Sequence, residues 1–254
     1  MLVVQHADDC PPALLGGWLS DAGVTLDVRR PYAGDPLPDE HVGLGEHSGL
    51  LVLGGPMDAD DEADHWWLRP TKALLRAAVR DEVPTLAICL GHQLLAVALG
   101  GQVARNPSGR QLGLLPMGWT SNAADDELVG GLVSDPGRCL HWNQDIVTAL
   151  PAGAQVTAVA PGGEIQAARF GPAAWGIQPH PEVDEAVVQS WASSDDEALA
   201  PDEDVTGLVR EMAAAHAELE AAWRPLAEAF AALVTGPVGE PVRGNESEPV
   251  GDSG

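Results

Sequence analysis

Between Pro84 and Gly101 the chain changes its hydrophobic period within one residue. Thr85-Leu86-Ala87-Ile88 is a short apolar run after a proline, which reads as a buried strand. Leu94, Leu95, Val97, Ala98 and Leu99 follow at helical spacing and stop at Gly100-Gly101. Cys89 stands at the join. A strand that turns sharply into a helix lifts the side chain at the turn above the sheet. Small residues two before and two after, here Ala87 and Gly91, let the helix approach the strand. The helix start aims free N–H groups and a partial positive charge at the sulfur, and both favour thiolate. The same pattern also fits a buried cysteine that ends a core strand. A nucleophile would need a base and an oxyanion site from elsewhere in the chain.

The segments before this stretch alternate. Leu2-Val3-Val4 reads as a strand, Ala13 to Asp21 as a helix closed by Gly23, Val24 to Val28 as a strand, and Gly49 to Leu53 as a fully apolar strand. Trp66 and Trp67 open a helical region in which Pro70 suits the first turn and Leu74, Leu75, Ala78 and Val79 form the buried stripe. Strands alternating with helices in this way predict a doubly wound sheet, whose sites lie at the carboxyl ends of strands. Gly54-Gly55-Pro56 follows one such strand. It fits an ordinary turn, and equally a backbone that exposes an N–H group to an oxyanion.

After Gly101 the texture shifts to short strands at 102–105, 111–115, 138–142, 155–160, 166–170 and 174–177, separated by turn residues. The last runs into Gln178-Pro179-His180-Pro181-Glu182. In an extended chain, which the two prolines favour, His180 and Glu182 share a side. A carboxylate so placed can orient an imidazole, although a surface histidine in a Pro-rich turn would look the same. Asp184 to Trp191 reads as a short helix. The expected divisions are one α/β domain over 1–192, an acidic loop over 193–204, a helical segment over 205–235 that Pro225 should kink or divide, and a disordered tail over 236–254.

Net charge is −25, with 38 acids against 13 bases, and Lys72 is the only lysine. Such a surface repels phosphate backbones, so nucleic acid is not an expected partner. No apolar run reaches the roughly 18 residues that a membrane helix needs. Three widely spaced cysteines, Cys10, Cys89 and Cys139, and no signal-peptide pattern suit a reducing cytoplasm. Cys139 lacks an elbow, and Cys10 beside Pro11 reads as an inert loop residue. The histidines at 6, 41, 47 and 65 lie in polar stretches without paired-ligand spacing, so neither metal nor cofactor is expected.

Gly54-Gly55-Pro56, Ala87-Ile88-Cys89-Leu90-Gly91-His92-Gln93 and Gly176-Ile177-Gln178-Pro179-His180-Pro181-Glu182, in that order, resemble the class I (triad-type) glutamine amidotransferases. Within them the chain is similar to free-standing proteins related to the glutaminase domain of GMP synthase. The resemblance covers Met1 to Trp191. It implies a three-layer α/β/α fold with a mostly parallel, flavodoxin-like sheet, to which the C-terminal helix is added. It also implies a triad of Cys89, His180 and Glu182, with the N–H groups of Gly55 and Leu90 as oxyanion donors. Gly54, Gln93, Trp142, Asn143, Gln144 and Asp145 would line the glutamine pocket, with Asp145 near the substrate amino group, and Gln111-Leu112-Gly113 would form a further loop near the site. Ala87 stands where many members have glycine, Pro179 where phenylalanine is usual, Asn143-Gln144 where a His-Gly pair is common, and Gln111 where glutamate is frequent. The pocket changes bear on substrate identity more than on the chemistry.

Three functions follow. The first is a glutaminase that supplies ammonia to a separate synthetase, since no P-loop pattern is present. The second is a γ-glutamyl hydrolase or peptidase acting on γ-glutamyl amines or peptides. The third, a non-catalytic binding protein on the same fold, is opposed by the complete triad.

Overall fold

The computed structural model describes residues 1–39, 43–134, 137–193 and 204–236. Its first half runs β1 (Leu2–Val4), α1 (Ala13–Asp21), β2 (Asp27–Arg29), β3 (Leu50–Val52), α2 (Leu68–Arg80), β4 (Thr85–Ile88) and α3 (Leu90–Ala98). Then come β5 (Gln102–Arg105), β6 (Gln111–Pro116), β7 (Arg138–Asn143), β8 (Asp145–Ala149), β9 (Gln155–Val159), β10 (Ile165–Gly171) and β11 (Ala174–Ile177). Two helices, α4 (Glu185–Ser193) and α5 (Val205–Thr235), follow.

Seven strands form the central sheet in the order β2-β1-β3-β4-β11-β10-β9. The first five are parallel, while β10 and β9 add an antiparallel edge. Parallel strands covered on both faces need apolar residues on both, which is why Leu50-Leu51-Val52 shows no polar alternation. Val3, Leu51, Leu86 and Ile88 enter one core with Leu15 and Trp18 of α1 and Trp223, Leu226 and Phe230 of α5. Leu2, Val4, Leu50, Val52 and Ala87 enter the other with Leu68 and Leu74 of α2 and Leu90 and Leu94 of α3. The result is the expected three-layer α/β/α fold with a mostly parallel sheet.

Two small antiparallel ladders, β5·β8 and β6·β7, stand outside this sheet. β7 and β8 are consecutive in sequence, yet each pairs with a different partner. The β6·β7 ladder is fastened to the segment beyond β11 by an antiparallel bridge between Leu140 and His180, in which the His180 N–H donates to the Leu140 carbonyl at 2.7 Å.

Three differences from the sequence expectation have physical causes. β2 begins at Asp27 rather than Val24, because pairing with β1 starts only at Leu2, and the Thr25 carbonyl instead accepts the Met1 ammonium at 2.9 Å. β8 was not expected, since no turn residue separates it from β7. Pro225 does not divide α5, which is one helix from Val205 to Thr235. Proline removes one helical hydrogen bond. Here Trp223, Leu226, Ala227 and Phe230 are buried on both sides of it, and the Trp223 indole N–H donates to the Arg138 carbonyl at 2.8 Å. The Arg138 guanidinium also pairs with Glu211 and Glu218 of α5. The acidic loop and the tail fall almost wholly at 194–203 and 237–254, outside the described residues. Among the described residues no helix is long and apolar enough to cross a membrane.

The α5 stripe is therefore core packing. Phe230 is fully buried, so Phe230→Ala should cost about 3–5 kcal/mol. Urea denaturation should show a lowered midpoint with an unchanged slope.

Candidate active site

Three adjacent strand ends meet at the carboxyl edge of the sheet. Val52 of β3 pairs with Ala87 of β4, and Ile88 of β4 pairs with Ile177 of β11. The residues that follow each strand, Gly54-Gly55, Cys89 and Gln178 to Glu182, are thereby brought together.

Cys89 has φ 51° and ψ −108°, and it stands immediately before α3. A non-glycine residue held there costs about 1–3 kcal/mol. Its N–H donates to the Ile177 carbonyl at 2.8 Å. The helix lies so close to β3 that a Cβ at Gly91 would run into the Val52 carbonyl oxygen. Gly54 is needed for another reason. A Cβ there would come within 3.0 Å of the His180 ring and 3.4 Å of the Cys89 Cβ, so its absence lets both side chains share the space over the turn.

The His180 Nδ1 makes a 2.8 Å hydrogen bond with Glu182 Oε1, and both side chains are buried. Burial alone would push the imidazole pKa down. The charge on Glu182, then that on Cys89, and hydrogen bonds to both outweigh it and hold the ring up at about 10. His180 is thus an imidazolium near neutral pH, set between a carboxylate and a sulfur. The Trp191 ring packs against it in a T-shaped contact with centroids 4.8 Å apart. The Gln178 amide donates to the Cys89 sulfur at 3.6 Å. Gln93, one turn into α3, donates to the Gln178 side chain and to the Asp145 carbonyl.

Leu90 is the first residue of α3, so its N–H has no partner within the helix. The Gly55 N–H makes no backbone hydrogen bond among the described residues. Behind Gly55 lies His6, fully buried, whose Nδ1 accepts from the Trp67 indole at 3.1 Å. Burial, with a smaller contribution from His65, lowers His6 to about 3 and keeps it neutral.

A cavity of about 350 Å³ opens over Cys89 and His180. Of the residues expected to bind substrate or oxyanion, Gly55, Gln93, Trp142, Asn143, Gln144 and Asp145 line it. Gly54 and Leu90 do not, nor does the triad carboxylate Glu182. They sit behind the lining, where they touch the groups that do.

The family model for class-I glutamine amidotransferase matches residues 19–189. The chain belongs to this family. Among its relatives, the glutamine amidotransferase-like protein YfeJ of Salmonella typhimurium is 30% identical over 186 residues, covering 72% of this chain and 75% of YfeJ. One subunit of the glutamine-hydrolysing GMP synthase of Halobacterium salinarum is 35% identical over 164 residues, 63% of this chain and 76% of that one. Gamma-glutamyl peptidase 3 of Arabidopsis thaliana is 28% identical over 173 residues, 66% and 67% of the two chains. A glutamine amidotransferase from Thermotoga maritima superimposes with a TM-score of 0.78 at 25% identity over 91% of this chain and 96% of that one.

Several features of this chain escaped the sequence. Asp9, Cys10, Met57, Asp58, Arg105 and Trp191 also line the cavity. Trp191 arrives there because its indole N–H donates to the Asp9 carbonyl, 182 residues away. Cys10 is therefore part of the pocket wall rather than an ordinary loop residue. His6 is core, not polar loop, and His41 lies outside the described residues. Gln111 opens β6 instead of forming a loop. Its side-chain oxygen accepts from Asn143 at 3.2 Å and Gln166 at 3.0 Å, so it supports the pocket from behind. The acidic stretch after Asp58 is pinned from below by Lys72, whose ammonium donates to the Ala59 carbonyl at 2.9 Å and pairs with Glu62.

Burial, and then nearby negative charge, raises the thiol pKa of both Cys10 and Cys139. Brief iodoacetamide treatment of the native protein near pH 7 should therefore modify Cys89 first. Cys139 should react only on unfolding, as read by mass spectrometry of the peptides. Earlier modification of Cys139 would contradict the site geometry.

Proposed function

We propose that this chain hydrolyses the side-chain amide of L-glutamine through a Cys89 thioester and passes the ammonia to a separate synthetase. The observation that carries this reading is the buried Glu182–His180 pair, whose imidazolium shares with Cys89 the space that Gly54 leaves open. Cys89 attacks the amide carbon as thiolate. The N–H groups of Gly55 and Leu90 receive the developing oxyanion. His180 gives its proton to the nitrogen, the C–N bond breaks and ammonia leaves. His180, now neutral, takes a proton from water as the water attacks the thioester. The S–C bond breaks, and glutamate and the starting ion pair are restored. Glu182 holds the ring and its charge. Gln93, Trp142, Asn143, Gln144 and Asp145 form the substrate pocket, and Gly54 keeps the turn open. The Halobacterium relative, named as one subunit of a synthase, supports a synthetase partner on another chain.

A second reading, hydrolysis of γ-glutamyl amines or peptides, has its own observation. His180 protonates the leaving nitrogen, so the leaving group lies on its side of the cavity. There Trp191 packs on His180, and Trp142 packs on Trp191 with centroids 5.5 Å apart. Ammonia does not need such a wall, whereas an amine with an apolar substituent would use it. The Arabidopsis relative, a gamma-glutamyl peptidase, points the same way.

Glutamate release from L-glutamine and from a panel of γ-glutamyl amines and peptides separates the two, with Cys89→Ala as the blank. Glutamine as the preferred donor supports the first reading, and preference for a γ-glutamyl amine the second. No Cys89-dependent release from any donor overturns both.

Glu182→Gln supplies a pH test. The carboxylate raises the His180 pKa, so its removal lowers it. The alkaline limb of kcat/KM, set near pH 10 by the protonated ring, should move down by about 1–3 pH units.

A further inference from the structure

Arg105 ends β5 directly opposite Asp145 of β8. Its Nε lies 3.4 Å from Asp145 Oδ1, and the guanidinium makes no hydrogen bond among the described residues. Both side chains line the catalytic cavity. That lining carries the acids Asp9, Asp58 and Asp145, and among the described residues Arg105 is the one arginine or lysine there. The chain as a whole carries −25, a field that repels a carboxylate ligand unless a local cation offsets it. Asp145 is held in place through its backbone, whose carbonyl accepts from Gln93 and Asn143. Its side chain is 19% exposed, and that of Arg105 is 63% exposed and has room to reorient.

We infer that Arg105 is the specificity residue for the α-carboxylate of the γ-glutamyl substrate, set beside Asp145 for the α-ammonium. An α-amino acid bears both charges on one carbon, and an acid and a base side by side match that zwitterion group for group. The guanidinium fork suits a carboxylate by bidentate hydrogen bonding. Gln93 joins this end of the pocket to Cys89, since it reaches both the Asp145 carbonyl and the Gln178 that contacts the sulfur. The site therefore selects γ-glutamyl donors whose α-carbon groups are both free, and rejects glutamine side chains inside a polypeptide, where neither charge exists. This inference rests on the γ-glutamyl reading above.

The test takes the γ-glutamyl donor that the wild-type protein turns over and its counterpart with the α-carboxylate replaced by a carboxamide. The ratio of their kcat/KM values is measured for wild type, Arg105→Gln and Arg105→Lys. Arg105→Gln should collapse the preference for the carboxylate by about 10- to 100-fold, mostly through KM, and Arg105→Lys should restore part of it. An Arg105 that merely stabilises the β5·β8 ladder would lower both substrates alike, and an unchanged ratio overturns the inference while leaving the catalytic reading intact. A wild-type protein that turns over no γ-glutamyl donor overturns both together.

Discussion

Cys89 can occupy its strained backbone conformation only because three neighbours hold it from different directions. Its N–H is tied to Ile177 on β11, its helix is drawn onto β3 where Gly91 meets Val52, and β4 itself is clamped between β3 and β11. The parallel sheet thus does more than bury apolar surface. Its central position is given to Cys89, a non-glycine residue with positive φ, where both flanking strands can restrain it. Strain of this kind persists only where the surroundings over-determine it, and here the restraints are backbone contacts that side-chain motion does not loosen.

The second dependency is electrostatic. A histidine as buried as His180 would ordinarily be neutral, as the fully buried His92, lowered to about 3 by desolvation, illustrates. His180 differs because Glu182 lies two residues away on the same side of an extended chain. The bridge to Leu140 fixes that chain against the β6·β7 ladder. The ladder therefore does two jobs. It holds the imidazole, and through Trp142 and Asn143 it supplies a wall of the cavity above it.

The parts of the site that were legible in the sequence are those whose geometry is local. The elbow around Cys89, the Gly54-Gly55-Pro56 turn and the His180–Glu182 alternation each sit within a few residues, and the strand or helix period dictates where each side chain points. What the sequence concealed depends on pairings between distant segments. Arg105 meets Asp145 across 40 positions of chain, and Trp191 is anchored to Asp9 across nearly the whole domain. His6 read as polar because it is a polar residue at a strand end, and only its full burial, with its ring nitrogen accepting from the Trp67 indole, shows that it is core. β8 was hidden for another reason, since a single residue, Gln144, separates it from β7, and so short a break does not show in the sequence that the chain changes partner there.

Lys72, the single lysine, is buried under the acidic stretch and ion-paired. The Met1 ammonium is engaged by the Thr25 carbonyl. An acyl thioester is a carbon electrophile, and amines capture such groups more readily than water does. A chain that carries one on its own cysteine is exposed to self-acylation by any free lysine within reach. An acyl group on Cys89, as the proposed reaction requires, would meet no unpaired lysine among the residues of this sequence, since Lys72 is buried and paired, and would be left to the water or acceptor that the pocket admits.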